Sequence, residues 1–209
     1  MKSIYLENNF YKKLGQSLFY LGIFFLPSAF SISAIFLIIT SILGFFIQKD
    51  NYLKDKWNIP FLIATVLLIT SSIINSLNNF QFEDPERFKF FESHLGLFNW
   101  IPFTLSFYGF QAYIKTKSSR RISALLFISG TVPVILSIIG QSLFNWHGPF
   151  QILNGFIIWY QRPIEGITAI TGLFNNPNYL GSWLIAVWPF CLASFFQNED
   201  SNKLKKIIS

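Results

Sequence analysis

Arg162 is the only lysine or arginine in the polar segment 145–177, and it lies beside aromatic residues. A guanidinium is a permanent cation whose planar set of donors matches the oxygens of a phosphate or pyrophosphate. The same group could equally bind lipid headgroups or pair with Glu165. The sequence favours an anion-binding role at this position and leaves these possibilities open.

A second polar segment, 79–96, carries a run of mixed charges. Its ionisable residues are Glu83, Asp84, Glu86, Arg87, Lys89, Glu92 and His94. They could bind a polar ligand or simply form a solvated loop, because their spacing fixes neither a metal site nor an acid–base pair. His147, which follows Trp146, is typical of an interfacial residue. We therefore predict no metal site, and the catalytic residues stay unknown.

The sequence Gly172-Leu-Phe-Asn-Asn-Pro-Asn178 leads directly into the last apolar stretch of the chain. Asn176-Pro177 is a turn signal, and Asn178 can cap a helix by accepting hydrogen bonds from its first free backbone amides. We expect a tight turn that docks a polar loop at the mouth of a helix. From the residue types alone, a helix cap explains Gly172, Asn176 and Asn178.

The middle of the segment 145–177 is apolar and ends in two aromatic residues. It spans Ile152 to Tyr160, with Trp159 next to the end. Such a stretch can lie along a membrane surface. We therefore predict a short interfacial helix at this place.

The elements that position these residues must be membrane helices. Of the 209 residues, 52% are hydrophobic and 12% are charged, which leaves too little polar surface for a soluble globule. The net charge of +6 comes from short basic clusters between apolar runs, so we predict no nucleic-acid partner. Cys191 is the single cysteine, which excludes an intrachain disulfide.

Apolar stretches of sufficient length predict an all-α, polytopic transmembrane helix bundle. A crossing needs about 20 residues, so the stretch 15–47 is long enough for two helices, and Pro27 near its middle marks a turn. The six predicted helices are about 15–27, 31–47, 58–78, 97–114, 122–144 and 178–197, in a single domain with outer loops 79–96 and 145–177.

Positive charge predicts the orientation of these helices, because cytoplasmic loops are enriched in Lys and Arg. With six helices, the segments on one side hold 13 Lys and Arg residues and the outer loops hold 3. A single helix over 15–47 would give 6 inside and 10 outside. We therefore predict that both termini are cytoplasmic. A cleaved signal peptide at the N-terminus would leave the later topology unchanged.

The run from Gly172 to Leu184, continued by Trp188-Pro189, resembles the glycine, asparagine-proline-asparagine and proline pattern of the O-antigen ligase and O-antigen polymerase family. These are polytopic bacterial membrane proteins, and the family includes cyanobacterial members proposed as bicarbonate transporters. The early hairpin from Phe25-Leu26-Pro27 to Ser33 is also similar to the way in which such proteins begin.

The resemblance implies a glycan carried on polyprenyl pyrophosphate as donor, and membrane lipids as surroundings. It implies transfer to a lipid or sugar acceptor on the outer face of the bacterial inner membrane, without cofactor or metal. The substrate-binding candidates that it implies are Arg162, Gly172, Asn176 and Asn178. Family members often have an arginine just before the glycine of the motif, where this chain has Thr168 to Thr171, so Arg162 is the nearest candidate. Their catalytic arginine and histidine lie in a later outer loop, so we expect this chain to be an N-terminal half or a shortened member.

Two other functions are compatible with the sequence. A membrane transporter, or an accessory to transport of inorganic carbon, would need polar groups along a path inside the spans. The predicted spans contain no Asp, Glu, Lys, Arg or His, and their polarity is mostly Ser and Thr, with amides such as Gln111 and Gln141. The third possibility is an inert membrane subunit that keeps the helices and lacks a reactive site.

Overall fold

The computed structural model describes residues 2–48, 54–79, 87–163 and 169–197, and these residues are mostly helical. In chain order the elements are α1 (Lys2–Phe25), α2 (Phe30–Gln48), α3 (Ile59–Asn79), α4 (Arg87–Phe110), α5 (Lys117–Gly130), α6 (Val132–Leu143), β1 (Phe150–Ile152), β2 (Ile157–Trp159) and α7 (Pro177–Gln197). A short 3-10 helix, Lys56–Asn58, precedes α3. Thr131 alone separates α5 from α6, so these two form one long helical segment. The described residues then contain six α-helical segments, which is the number predicted.

Within the described ranges, four helical segments are long and apolar enough to cross a membrane. They are Phe30–Gln48, Lys56–Asn75, Lys117–Leu143 and Pro177–Phe196. In the second and the fourth of these, 11% of the apolar window is buried, so side chains such as Leu67 and Ile185 face outward. Apolar surface on this scale requires lipid as its solvent. The chain is therefore a multi-pass membrane protein.

The long apolar stretch 15–47 is broken into two helices, as the sequence predicts. α1 ends at Phe25, α2 begins at Phe30, and Pro27 lies in the turn between them. Beyond the turn, the buried Ser33 donates from Oγ to the carbonyl oxygen of Gly22 at 2.7 Å, which holds the last turn of α1 to the first turn of α2. A hydroxyl satisfied in this way adds little polar cost inside a membrane.

Three helices begin earlier than predicted. α1 begins at Lys2 rather than at 15. α4 begins at Arg87 rather than at 97, so the end of the predicted loop 79–96 has a helical backbone. The predicted helix 122–144 begins earlier, at Lys117, and is interrupted at Thr131. Pro133 explains the interruption, because its ring lacks an N–H and fits the first turn of a new helix.

The first of two compact units combines described residues of 1–15 and 38–113. Within it α3 packs on α4, where the Phe61 ring stacks on that of Phe107 at 4.3 Å and Trp100 Nε1 donates to Thr65 Oγ1 at 2.9 Å. Gly44 on α2 faces Gly109 on α4 so closely that a Cβ on Gly44 would overlap the Gly109 carbonyl. Small residues at helix contacts are typical of packing in membranes.

The second unit combines 16–37 with described residues of 114–209. α5 packs on α7, and Trp183 Nε1 donates to Thr131 Oγ1 at 3.1 Å. The buried centre of this unit is formed by Val134, Leu173 and Leu180. It joins α6, the segment before α7 and α7 itself, so the polar segment 145–177 is tied to two helices.

The predicted interfacial helix over Ile152 to Tyr160 is wrong, because these residues belong to an antiparallel β-hairpin. β1 pairs with β2 in the register Phe150↔Trp159 and Ile152↔Ile157. Asn154 and Gly155 have φ angles of 55° and 87°, as in the type I′ turns that join antiparallel strands. The β-branched and aromatic residues of β2 favour a strand over a helix.

Candidate functional site

Two buried glutamines attach the segment 145–177 to α6. Gln161 donates from Nε2 to Ser137 Oγ at 2.6 Å, and Gln141 makes the second attachment. Ser137 and Gln141 are four residues apart and therefore share one face of α6. Both are buried. An apolar helix thus carries one polar strip, and the loop covers it.

Gln141 is fully buried, and its amide forms hydrogen bonds with residues at the two ends of the segment 162–172. Nε2 donates to the Arg162 carbonyl at 2.6 Å and lies 3.3 Å from Thr171 Oγ1. Oε1 accepts from the backbone N–H groups of Thr171, at 3.1 Å, and Gly172, at 2.9 Å. Thr171 Oγ1 also accepts from the Arg162 N–H at 3.1 Å. The sequence identified Gln141 as a polar residue within a span but did not predict these partners.

Arg162 lies at the wall of a cleft of about 410 Å³, here called the Arg162 cleft. Its other walls are Pro163, Ala169, Thr171, Asn175, Asn176 and Pro177. The Arg162 side chain is exposed, and no carboxylate among the described residues pairs with it. Glu165, its predicted partner, lies outside the described residues. Hydrogen bonds from Gln141 and to Thr171 fix the backbone of Arg162. The position of the Cα atom that carries the guanidinium side chain is therefore fixed as well.

The candidate residues Asn176 and Asn178 have different roles from those predicted. Asn176 Oδ1 accepts from the N–H of Asn178 at 2.8 Å, and the Asn176 carbonyl accepts from Tyr179 at 3.1 Å. Asn176 is therefore the residue that caps α7, Pro177 opens the helix, and the predicted cap at Asn178 is wrong. The physical reason is that Pro177 has the fixed φ of a first helical residue, which places the cap one residue before it.

Gly172 is not one of the residues that line the cleft. Its φ is +57°, a left-handed conformation that side chains disfavour, and its N–H is bound by Gln141. A Cβ on Gly172 would contact Leu180 and Ile138 at 3.4 and 3.5 Å. Gly172 therefore turns the chain towards the start of α7. The structure brings Arg162 and Asn176 to one cleft and leaves Gly172 and Asn178 outside its walls.

A second cavity, of about 880 Å³, is lined in part by the same loop. Its lining is mainly apolar side chains, among them Leu136, Trp146, Phe150 and Trp159, with Gln161 at one wall. Gln161 lines this cavity and the next residue in the chain, Arg162, lines the polar cleft. Sequence reasoning did not identify this cavity, because the hairpin that forms one of its walls was predicted as a helix.

The other sequence candidates do not join this site. His147 is exposed. In the segment 79–96, Glu83, Asp84 and Glu86 lie outside the described residues, as do the side chains of those from Arg87 to His94, so the polar-ligand hypothesis for that loop stays a prediction. Among the residues that the structure describes, no group of three His, Cys, Asp or Glu could hold a metal ion.

The Arg162 cleft is suited to binding an anion. It combines a guanidinium, the N-terminus of α7 and the Thr171 hydroxyl, and a helix N-terminus attracts negative charge. Of its described lining residues none is a carboxylate or histidine, so they offer no general acid or base. No protein-family model, no curated protein and no solved structure matches this chain.

Proposed function

We propose that this chain is an O-antigen ligase-like protein of the bacterial inner membrane, which binds a glycan carried on polyprenyl pyrophosphate for transfer to a lipid or sugar acceptor. The observation that carries the proposal is the exposed guanidinium of Arg162 beside the N-terminus of α7. A pyrophosphate has several anionic oxygens, which a planar guanidinium can bind through paired donors and which the positive end of the α7 dipole stabilises. The residues from Gly172 to Pro189, which resemble that family, lead into and form much of this helix.

The neighbouring apolar cavity gives the proposal a second support. A polyprenyl pyrophosphate joins a charged group directly to a long hydrocarbon chain. The cavity lined by Leu136, Trp146 and Phe150 and the polar Arg162 cleft are lined by consecutive residues of the chain, Gln161 and Arg162. Ligand pockets of this kind are mostly apolar, with a few polar groups that fix orientation.

The proposal includes six membrane crossings with both termini in the cytoplasm. The charge bias of 13 basic residues against 3 supports this orientation. In it the segment 145–177, with the Arg162 cleft, faces the outer side of the membrane. A lipid-linked glycan that is transferred on that side would then meet the cleft at the headgroup level.

The direct test is binding of a fluorescent polyprenyl pyrophosphate to the whole chain in lipid nanodiscs. Arg162→Ala should weaken binding by about tenfold or more, because a hydrogen bond to a charged group contributes roughly 1.5–3 kcal/mol. Arg162→Lys should lose less, since it keeps the charge but not the planar fork.

Two controls separate the proposed site from general charge effects. Arg121→Ala removes another exposed arginine, on α5, and should leave the affinity unchanged. A polyprenol without phosphate should bind wild type and Arg162→Ala alike. Equal pyrophosphate affinity of Arg162→Ala and wild type would remove the residue from the site and leave the proposal without its main support.

A further inference from the structure

The buried amide of Gln141 holds two walls of the Arg162 cleft at a fixed separation. Arg162 and Thr171 are both lining residues, and they are nine positions apart along the chain. Gln141 bonds to the carbonyl of the first and the N–H of the second, at 2.6 and 3.1 Å. Without this amide, the Thr171 hydroxyl would be the remaining described link between these two residues.

The orientation of the amide is set by its partners. Oε1 faces two backbone N–H groups, those of Thr171 and Gly172, whereas Nε2 faces the Arg162 carbonyl. A flipped amide would place N–H against N–H and oxygen against oxygen. A leucine would satisfy neither side, and a buried backbone group without a partner costs roughly 1–3 kcal/mol. The site therefore requires one group that both donates and accepts at this position.

Gln141 lies inside the apolar segment Lys117–Leu143, where a polar side chain is costly unless it is bonded. Its exposure is 0%, so it does not serve solubility. Its bonds end on the loop that carries Arg162 and not on another membrane helix. Among the contacts described for this residue, all partners belong to positions 162, 171 and 172.

We infer that Gln141 is the positioning residue of the Arg162 cleft, and that anion affinity depends on its amide although the amide does not touch the ligand. This inference rests on the proposed function for the identity of the anion. It predicts that loss of the amide frees the Arg162 and Thr171 walls from each other and lowers the affinity for a pyrophosphate even when the helices remain folded.

The test compares Gln141→Leu with Gln48→Leu in the same nanodisc assay. Gln48 is a matched control, because it is also a buried glutamine on an apolar helix and donates to the Tyr108 carbonyl at 3.1 Å, in the other unit. Both variants should lose thermal stability, but Gln141→Leu alone should weaken binding of the fluorescent polyprenyl pyrophosphate, by about tenfold. Equal affinity of Gln141→Leu and wild type would overturn the inference.

A milder variant covers the case in which Gln141→Leu does not fold. Gln141→Asn keeps one donor and one acceptor but shortens the side chain by one methylene, so the amide can no longer reach both the Arg162 carbonyl and the Thr171 and Gly172 N–H groups. It should weaken binding several-fold, and wild-type affinity in this variant would also overturn the inference. The Arg162→Ala variant reports separately on the proposed function: if it binds normally while Gln141→Leu binds weakly, the anion site is positioned by Gln141 but Arg162 is not its cation.

Discussion

At the scale of single residues, three side-chain amides fix the segment before α7 through hydrogen bonds. Asn176 caps α7 through its Oδ1, Gln141 binds the backbone at Thr171 and Gly172, and Gln161 binds Ser137. An amide is suited to each place because it can accept and donate at once. These bonds hold the backbone of the loop at the start of α7.

The cap gives a prediction at this scale. Asn176→Ala should lower the free energy of unfolding by about 1 kcal/mol, because the N–H of Asn178 loses its acceptor. Asn178→Ala should change it by less than about 0.5 kcal/mol, since the exposed side chain of Asn178 caps nothing. Denaturant titrations of both variants in the same detergent measure the difference. A larger loss in Asn178→Ala would show that the cap is assigned to the wrong asparagine.

Part of the site could be predicted from residue types alone. Arg162 is conspicuous as an isolated cation, and Asn176-Pro177 is a strong turn signal, so both were among the candidates and both line the cleft. The role of Gln141 could not be predicted, because its partners are 21 and 30 residues away in the chain. A polar residue in an apolar span indicates that a partner exists, but it does not say which one.

At the scale of elements, the β-hairpin is the main departure from the sequence prediction. The stretch is short, and a short apolar run fits either a strand or a helix. Asn154-Gly155 between two apolar runs was the signal that could have found the hairpin, because both residues accept a positive φ. The membrane helices were easier to predict, since the thickness of a bilayer sets their length.

Replacing either of two glycines by alanine tests these elements, because the two substitutions should change the stability of the protein in opposite directions. Gly155→Ala should be destabilising by about 1–2 kcal/mol, because φ at Gly155 is +87°, which a side chain disfavours. The cost is backbone strain and not a clash, since the atom nearest to an added Cβ, Gln151 Oε1, is 3.7 Å away. Gly181→Ala should be stabilising by about 0.5–1 kcal/mol, because it lies within α7 and a Cβ there meets nothing within 4 Å.

Unfolding titrations of the two glycine variants against wild type provide the measurement. Each substitution adds one methyl group, so a common effect of added apolar surface would shift both in the same direction. A stabilised Gly155→Ala would contradict the left-handed turn between β1 and β2.

At the scale of the whole molecule, lipid is the solvent that decides the fold class. Side chains such as Phe30, Leu67 and Trp188 are more than half exposed, which a water-facing surface would not tolerate in this number. The sequence could predict the helices and the class of protein for this reason. It could not predict the break at Thr131 or the bounds of α4, because local packing and capping decide these within an apolar or charged run.

The proposed orientation gives a prediction at this scale. With Cys191→Ser as background, a cysteine replacing the exposed His147 should react with a membrane-impermeant maleimide on intact bacterial cells. A cysteine replacing the exposed Lys115 should react after the cells are made permeable, because basic segments stay in the cytoplasm. The reverse pattern of labelling would contradict the orientation and place the Arg162 cleft on the inner side.

The hydrogen bond from Trp159 Nε1 to the Ser28 carbonyl, at 2.7 Å, joins positions that are 131 residues apart within one unit. A ribosome adds about 5–20 residues per second, so the turn after α1 is made roughly 10 seconds before its partner. During that interval Ser28 must keep another partner for its carbonyl, and water at the membrane surface can supply one. The turn that opens the chain is thus completed late in synthesis, when β2 has been made.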